Sequence, residues 1–315
     1  MSSRNTTVSI VLLGAVCTLA PRATSAYVRE VTSTGLPLAW KNPCVAMHVF
    51  LGDVPPVLTP DQFFMAATVS GNTWSTPFLA CSDIRLSVIA EAEPTADVGY
   101  DKRNVIVFRK VDWCSNSSPA ANPSDSVCYP RSALAVTTIF KNKNTGEILD
   151  TDIAFNAVDY AWGDMVALPG SMVGPTVDFQ NALTHELGHV LGLDHSCYAP
   201  ADGQGRQLDN TGAPELDCYN NPDLPESILN STMYPSVSLR DTERRDLCPD
   251  DEQGVCEIYP YLHEACTGRL GGGGCATLPD SSTRTDAATW IVSTVTATLI
   301  AGLCLLLRRR RVRRI

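Results

Sequence analysis

His185-Glu186-Leu187-Gly188-His189-Val190-Leu191-Gly192-Leu193-Asp194-His195 holds three of the chain's five histidines. On a helix, positions i and i+4 share a face, so His185 and His189 can aim one imidazole each at a common point. Glu186 lies one residue round the helix, poorly placed as a ligand but within reach of a water bound at that point. Gly192 lets the chain leave the helix through a left-handed conformation that other residues resist. That turn can return His195 as a third nitrogen donor. Three protein ligands leave the fourth tetrahedral position of Zn²⁺ open to water, the catalytic rather than the structural arrangement. A lone His-Glu-x-x-His arises by chance on amphipathic helices, as histidines that hold no metal. The extended form with Gly192 and His195 is far more restrictive. On this reading His185, His189 and His195 are the metal ligands and Glu186 is the catalytic base.

The two ends of the chain speak to location. Arg4 is the only early charge, an apolar run follows from Val8 to Ala20, and Ala23-Thr24-Ser25-Ala26 supplies small residues before a break. This pattern predicts a secretory signal peptide over 1–26, with Tyr27 as the mature N-terminus and an uncleaved anchor as the alternative. Thr289 to Leu307 carries no charge and is long enough for a membrane-spanning helix. Six arginines in 308–315 follow it, marking the cytoplasmic side. A nucleic-acid tail is the competing reading of that run, but its place directly after an apolar span favours stop-transfer. The terminal arginines also argue against a glycolipid-anchor signal. The expectation is an exported protein at the cell surface or beyond it, anchored at least transiently through its C-terminal segment.

Two of the 24 basic residues fall in the signal region and six in the tail, leaving 16 against 34 acidic ones, or about −18 for the exported part. Such a surface disfavours nucleic acid as a partner. Ten of the twelve cysteines sit in the exported part, where disulfides are the default. Cys114–Cys128, Cys197–Cys218 and Cys248–Cys256 are plausible local pairs and Cys44–Cys81 a longer one, although spacing does not fix connectivity. No tight Cys-x-x-Cys pair suggests a cysteine metal site. Residues 27–262 suffice for one sizeable core or two small lobes around a cleft, expected as a monomer.

Alternation predicts strands at Val45–Leu51, Ile84–Ala90, Val105–Phe108, Leu134–Phe140 and Ile148–Asn156. Thr59-Pro60-Asp61 predicts a helix start, running to about Gly71. The motif helix is expected to begin near Thr176, with Phe179, Ala182, Leu183, Leu187, Val190 and Leu191 as its core face. A last amphipathic helix is expected around Asp250–Tyr259. Asp150 and Asp152, on the returning strand, could bind Ca²⁺ through hard oxygens, although solvated edge carboxylates are the commoner outcome. From His263 the pattern is lost, and 263–288, with Gly271–Gly274 and a Ser/Thr-rich run, reads as a flexible stalk.

Taken together these residues resemble a metzincin metalloprotease, closest to the matrixins. His185 to His195 with Ser196 is similar to the matrixin zinc signature, and Thr232-Met233-Tyr234-Pro235 resembles the family's Met-turn. Gly146-Glu147-Ile148 with Asp150 to Asn156 is similar to the strand bordering the family's substrate cleft, and Asp250-Asp251 with Ile258-Tyr259 resembles its closing helix. The resemblance covers roughly residues 38–261. It implies an α+β zincin fold: a twisted, mixed five-stranded sheet, a long active-site helix and a smaller C-terminal lobe, with zinc at the floor of a cleft and Met233 as an apolar base beneath the histidines. Ordinary core packing of Met233 is equally compatible with the sequence. The tail from Gly271 to Ile315 resembles the C-terminal sorting signals of myxobacterial surface proteins, with Cys275 as the processing point, unless Cys275 pairs with Cys266.

The chain departs from the matrixin pattern in several places. His195 and Met233 stand 38 positions apart, an insertion expected to alter the primed side of the cleft. Ser236-Val237 replaces the tyrosine often found after the Met-turn. No propeptide with a zinc-blocking cysteine fits between Ala26 and the first strand. The second, structural zinc lacks ligands, because only His48 and His263 remain. The resemblance implies an exported zinc endopeptidase acting on protein or peptide substrates. The alternatives are a zinc-stabilised surface adhesin without turnover and a hydrolase of some non-peptide substrate.

Overall fold

The computed structural model describes residues 27–55, 57–75, 80–92, 97–115, 128–166, 176–200 and 205–261. The expected signal peptide, stalk, membrane segment and arginine tail lie outside the described residues, as do Cys266 and Cys275. Among the described residues no helix is long and apolar enough to cross a membrane.

Alternating burial of Val45, Met47 and Val49 makes Cys44–Phe50 (β2, after the short β1 at Ala39–Trp40) a strand with one core face. The next element, α1 (Pro60–Thr73), starts where the sequence places it. Thr59 Oγ1 accepts from Gln62 N at 3.2 Å, and Gln62 Oε1 accepts from Thr59 N at 2.9 Å, a reciprocal capping box. The helix runs past Gly71, which packs against Leu86 and Val88 of β3 (Arg85–Glu91). Next come β4 (Val105–Arg109), β5 (Ala135–Lys141) and β6 (Glu147–Asn156).

The sheet has six strands where the resemblance implies five; the added strand is the two-residue β1, paired with Glu147 and Ile148. The order is β1-β6-β4-β2-β3, all parallel, with β5 antiparallel on β6. The architecture is therefore mixed α and β with a mostly parallel sheet. A second, two-stranded sheet pairs β7 (Ala161–Gly163) with β8 (Thr176–Asp178).

The motif helix, α2 (Phe179–Val190), begins three residues later than expected. Thr176–Asp178 belongs to β8, and Asp178 then caps the helix by accepting from Asn181 N at 2.8 Å. All six residues of its expected core face are buried, each large one worth ~1.5–3 kcal/mol. Phe179 stacks at 5.1 Å from both Phe63 and Phe155, tying α2 to α1 and to the sheet. Beyond α2 the regular elements are short: α3 (Glu226–Leu229) and α4 (Pro249–Ile258).

Three disulfides join described residues: Cys81–Cys256, Cys114–Cys128 and Cys197–Cys218. The last two match the expectation; Cys248–Cys256 and Cys44–Cys81 do not. Cys248 and Cys256 sit on one helix about 12 Å apart at 1.5 Å per residue, too far for a bridge. Cys248 instead keeps its thiol and donates to the Asn230 carbonyl at 2.7 Å. Cys81 is drawn to the far end of α4 because Asp83 N and Tyr261 N bond the chain there to Tyr259 O and Cys81 O.

Asp150 and Asp152 are also not where the sequence puts them. Because β6 lies inside the sheet, both carboxylates are fully buried rather than solvated at an edge. Asp150 Oδ2 accepts from Asp101 N and Lys102 N, and the Asp152 oxygens accept from Gly99 N and Val105 N. The groups meeting three of these four oxygens are backbone N–H donors; Asp150 Oδ1 has no hydrogen-bond partner among the described residues.

Candidate metal centre

The three histidines of the motif come together. The donor atoms of His185, His189 and His195 lie within 4.8 Å of one another, and the Nε2 atoms of His185 and His189 are 3.2 Å apart. Two nitrogens held at ~2.05 Å by one tetrahedral Zn²⁺ would be separated by about 3.3 Å, so the pair fits the ion. Each of these imidazoles has its other nitrogen bound to a backbone carbonyl: His185 Nδ1 to Thr232 O at 2.7 Å, His189 Nδ1 to Leu193 O at 2.9 Å. A carbonyl accepts only, so Nδ1 carries the proton and Nε2 presents its lone pair inward. Burial, and then the neighbouring His189 and His195, hold His185 well below the ordinary histidine pKa, in the neutral form that binds metal.

The turn that delivers His195 works as the sequence suggests. Gly192 has φ +87°, and a Cβ there would stand 2.7 Å from the Leu38 carbonyl oxygen. The last carbonyls of α2 are then satisfied from outside: the Trp40 indole donates to Val190 O at 2.8 Å and the Tyr259 hydroxyl to Leu191 O at 2.9 Å. Residues 28–30 run alongside, with Asp194 N on Val28 O and Glu30 N on Gly192 O, both at 3.0 Å.

Beneath the helix, a Cβ on Gly188 would run into Met233 Sδ and come within 3.1 Å of the Trp74 ring. Gly188, next to His189, is thus the residue that lets Met233 close on the helix between the two histidines. The turn carrying Met233 is itself held by Asp251 of α4. That carboxylate accepts from Ser231 Oγ at 2.8 Å, Thr232 N at 2.9 Å and Cys248 N at 3.0 Å. Arg244 braces the same turn, donating to Ser231 O, Ser236 O and Leu229 O. A continuous path therefore runs from α4 through Asp251 and Thr232 to His185.

Glu186 is 7% exposed, and Thr137 Oγ1 of β5 donates to its carboxylate at 2.6 Å. That contact fixes one carboxylate oxygen of a residue that lines the same cavities as His195. Two cavities flank this point, of about 350 and 570 Å³, and Glu186, His195, Pro130, Ala133 and Ala135 line both. The strand bordering them is β5, not β6 as the resemblance implies, since β6 is covered on both edges. The 196–232 insertion contributes to both cavities, with Tyr198 and Glu215 in the smaller and Tyr219 in the larger.

Sequence reading missed Thr137, Glu30, Asp194 and Glu215. Asp194 had a visible signal, as an acid beside a candidate ligand histidine; Glu30 and Glu215 had none, since tertiary packing alone brings them in. Burial and the charge of Asp194 push both Glu30 and Glu215 up to about 7, while Lys141 and Arg206 respectively oppose the rise. No protein-family model matches the chain, and a search of curated proteins finds no significant match.

Proposed function

We propose that the chain is a zinc-dependent endopeptidase of the matrixin-like metzincin kind, with a zincin fold. The observation that carries the reading is the convergence of three histidines, two with their tautomers set by backbone carbonyls, beside a buried and oriented glutamate in an open cleft. His185, His189 and His195 would hold Zn²⁺, which when bound lowers the pKa of a water toward ~7 and polarises a carbonyl oxygen. Glu186 takes a proton from the attacking water and hands it to the leaving amine. Thr137 keeps that carboxylate aimed while both jobs are done. β5 is bonded on one side to β6, and its other side faces the cleft, so an extended peptide can add to it by backbone hydrogen bonds. Specificity then falls to side-chain pockets on either side of Glu186.

The test is incubation of the zinc-loaded full chain with a denatured protein mixture, with and without a chelator, followed by mapping of the products. Chelator-sensitive internal cuts are expected. Glu186→Gln should lower the rate by ~10²–10⁴-fold while zinc content stays at one ion per chain. Full activity in that variant would sink the mechanism. Absence of cuts with zinc bound would favour the adhesin instead.

A further inference from the structure

The smaller cavity has a character that the zinc chemistry does not require. Three carboxylates converge on its lining: Glu30 from the N-terminal segment, Asp194 from the turn after α2, and Glu215 from the insertion. Asp194 is 9% exposed and Glu215 6%. One oxygen of Asp194 accepts from the His195 N–H at 2.7 Å, and one of Glu215 from Gln207 N at 2.6 Å. Among the described residues the second oxygen of each has no hydrogen-bond donor, and the Glu30 carboxylate, also in the lining, accepts none.

The nearby cations are engaged elsewhere. Lys141 Nζ donates to the Val31 carbonyl at 3.2 Å. Arg206 bonds the Glu215 backbone carbonyl, pairs with Asp217 and lies over the Tyr198 ring at 4.8 Å. Zn²⁺ held by the histidines would offset charge on Glu30 and Asp194, whose oxygens lie within 4.8 Å of a His189 nitrogen. The lining as a whole stays acidic, and Glu215 in particular is left for a positive group that enters the pocket. A space of about 350 Å³ is at the small end of ligand pockets (~300–1,000 Å³), the right scale for a single long side chain.

We propose that this pocket selects a lysine or arginine side chain of the substrate on the N-terminal side of the cleaved bond. The inference rests on the peptidase reading. For a peptide added antiparallel to β5 the side follows from strand direction: Ser132 and Leu134 line only the larger cavity, and Val136 and Thr137 only the smaller one. A peptide added antiparallel to β5 therefore runs from the smaller cavity to the larger. Its N-terminal residues meet Glu30, Asp194 and Glu215, and its cleaved bond lies at Glu186. The cationic head would take the unbonded oxygens of Asp194 and Glu215, with its alkyl stem against Val136 and Tyr198.

The test sequences the cut sites left by the zinc-loaded full chain in a denatured protein mixture, then measures kcat/KM on paired peptides. The pairs carry lysine or norleucine at the position the map identifies. Lysine and arginine should be enriched at least tenfold at one of the three positions before the cut. The lysine-to-norleucine ratio should fall at least tenfold in Glu215→Gln and in Glu30→Gln. Cuts with no basic preference, or a ratio that neither variant moves, would overturn the pocket's role and leave the peptidase standing. A zinc-loaded protein that makes no cuts overturns the peptidase reading and this inference with it.

Discussion

Buried carboxylates organise both the helix and the sheet, and the two regions handle the charge differently. At the start of α2, Asp178 is fully buried and caps the helix, but Arg245 lies against it, with Nη2 to Oδ2 at 2.5 Å and Nε to Oδ1 at 2.9 Å. Inside the sheet, Asp150 and Asp152 are equally buried; Asp101's charge raises both, and Asp150's charge also raises Asp152. Backbone N–H donors hold both regions together. Only the helix side adds a cation. The consequence is that the element presenting His185 and His189 is anchored by a neutralised pair, while the loop from 97 to 105 hangs on acids that resist ionisation.

The sharpest way to break this contrast is to remove the cation. Arg245→Ala should cost ~3–5 kcal/mol in urea unfolding, because it strands a buried charge at the cap. A loss below about 1 kcal/mol would place the pair with solvent-screened bridges and erase the distinction. The sheet side is probed by pH. Burial, ahead of the charge of Asp150, raises Asp152 to about 8 from an ordinary value of 3.8. Between those values the folded chain holds a proton that the unfolded chain has lost, so stability falls as pH rises, and the penalty is complete above about 8. Glu30 and Glu215, both at about 7, act in the same direction. The wild type should therefore be less stable at pH 8.5 than at pH 5, by on the order of several kcal/mol. Asp152→Asn should flatten part of that slope. An identical slope in the two proteins would mean that Asp152 ionises freely in the fold.

These regions also show what a sequence can and cannot carry. The helix start at Thr59, the core face of α2, the turn at Gly192 and the three donors are local patterns, and each is found in place. Asp150 and Asp152 are misplaced because alternation gives a strand's faces but not its neighbours; β4 and β1 cover an edge that a hairpin alone would leave open. The same limit hides Cys81–Cys256, whose partners are 175 residues apart in sequence. The three histidines are legible because a metal site would demand such donors at fixed spacing. Thr137, Glu30 and Glu215 are not, because only the packing of β5, the N-terminal segment and the insertion brings them to the cleft.

The mildest substitution separates anchoring from charge. Among the described residues no arginine pairs with the Asp251 carboxylate, yet it holds the Met233 turn through one hydroxyl and two backbone N–H groups at 2.8–3.0 Å, with Met233 N at 3.4 Å. Asparagine keeps an acceptor for Thr232 N and Cys248 N and turns an amide toward Ser231 Oγ, whose hydroxyl can accept it. Asp251→Asn should therefore cost only ~1 kcal/mol, the scale of one exchanged hydrogen bond. The turn also supplies the carbonyl that fixes His185, and groups in that relation to a ligand typically change metal affinity by ~10–100-fold. Zinc affinity, read by chelator competition, should thus fall further than the unfolding free energy does. If both fall together by several kcal/mol, Asp251 is holding the fold as Asp178 does; if neither moves, the path from α4 to His185 carries no coupling.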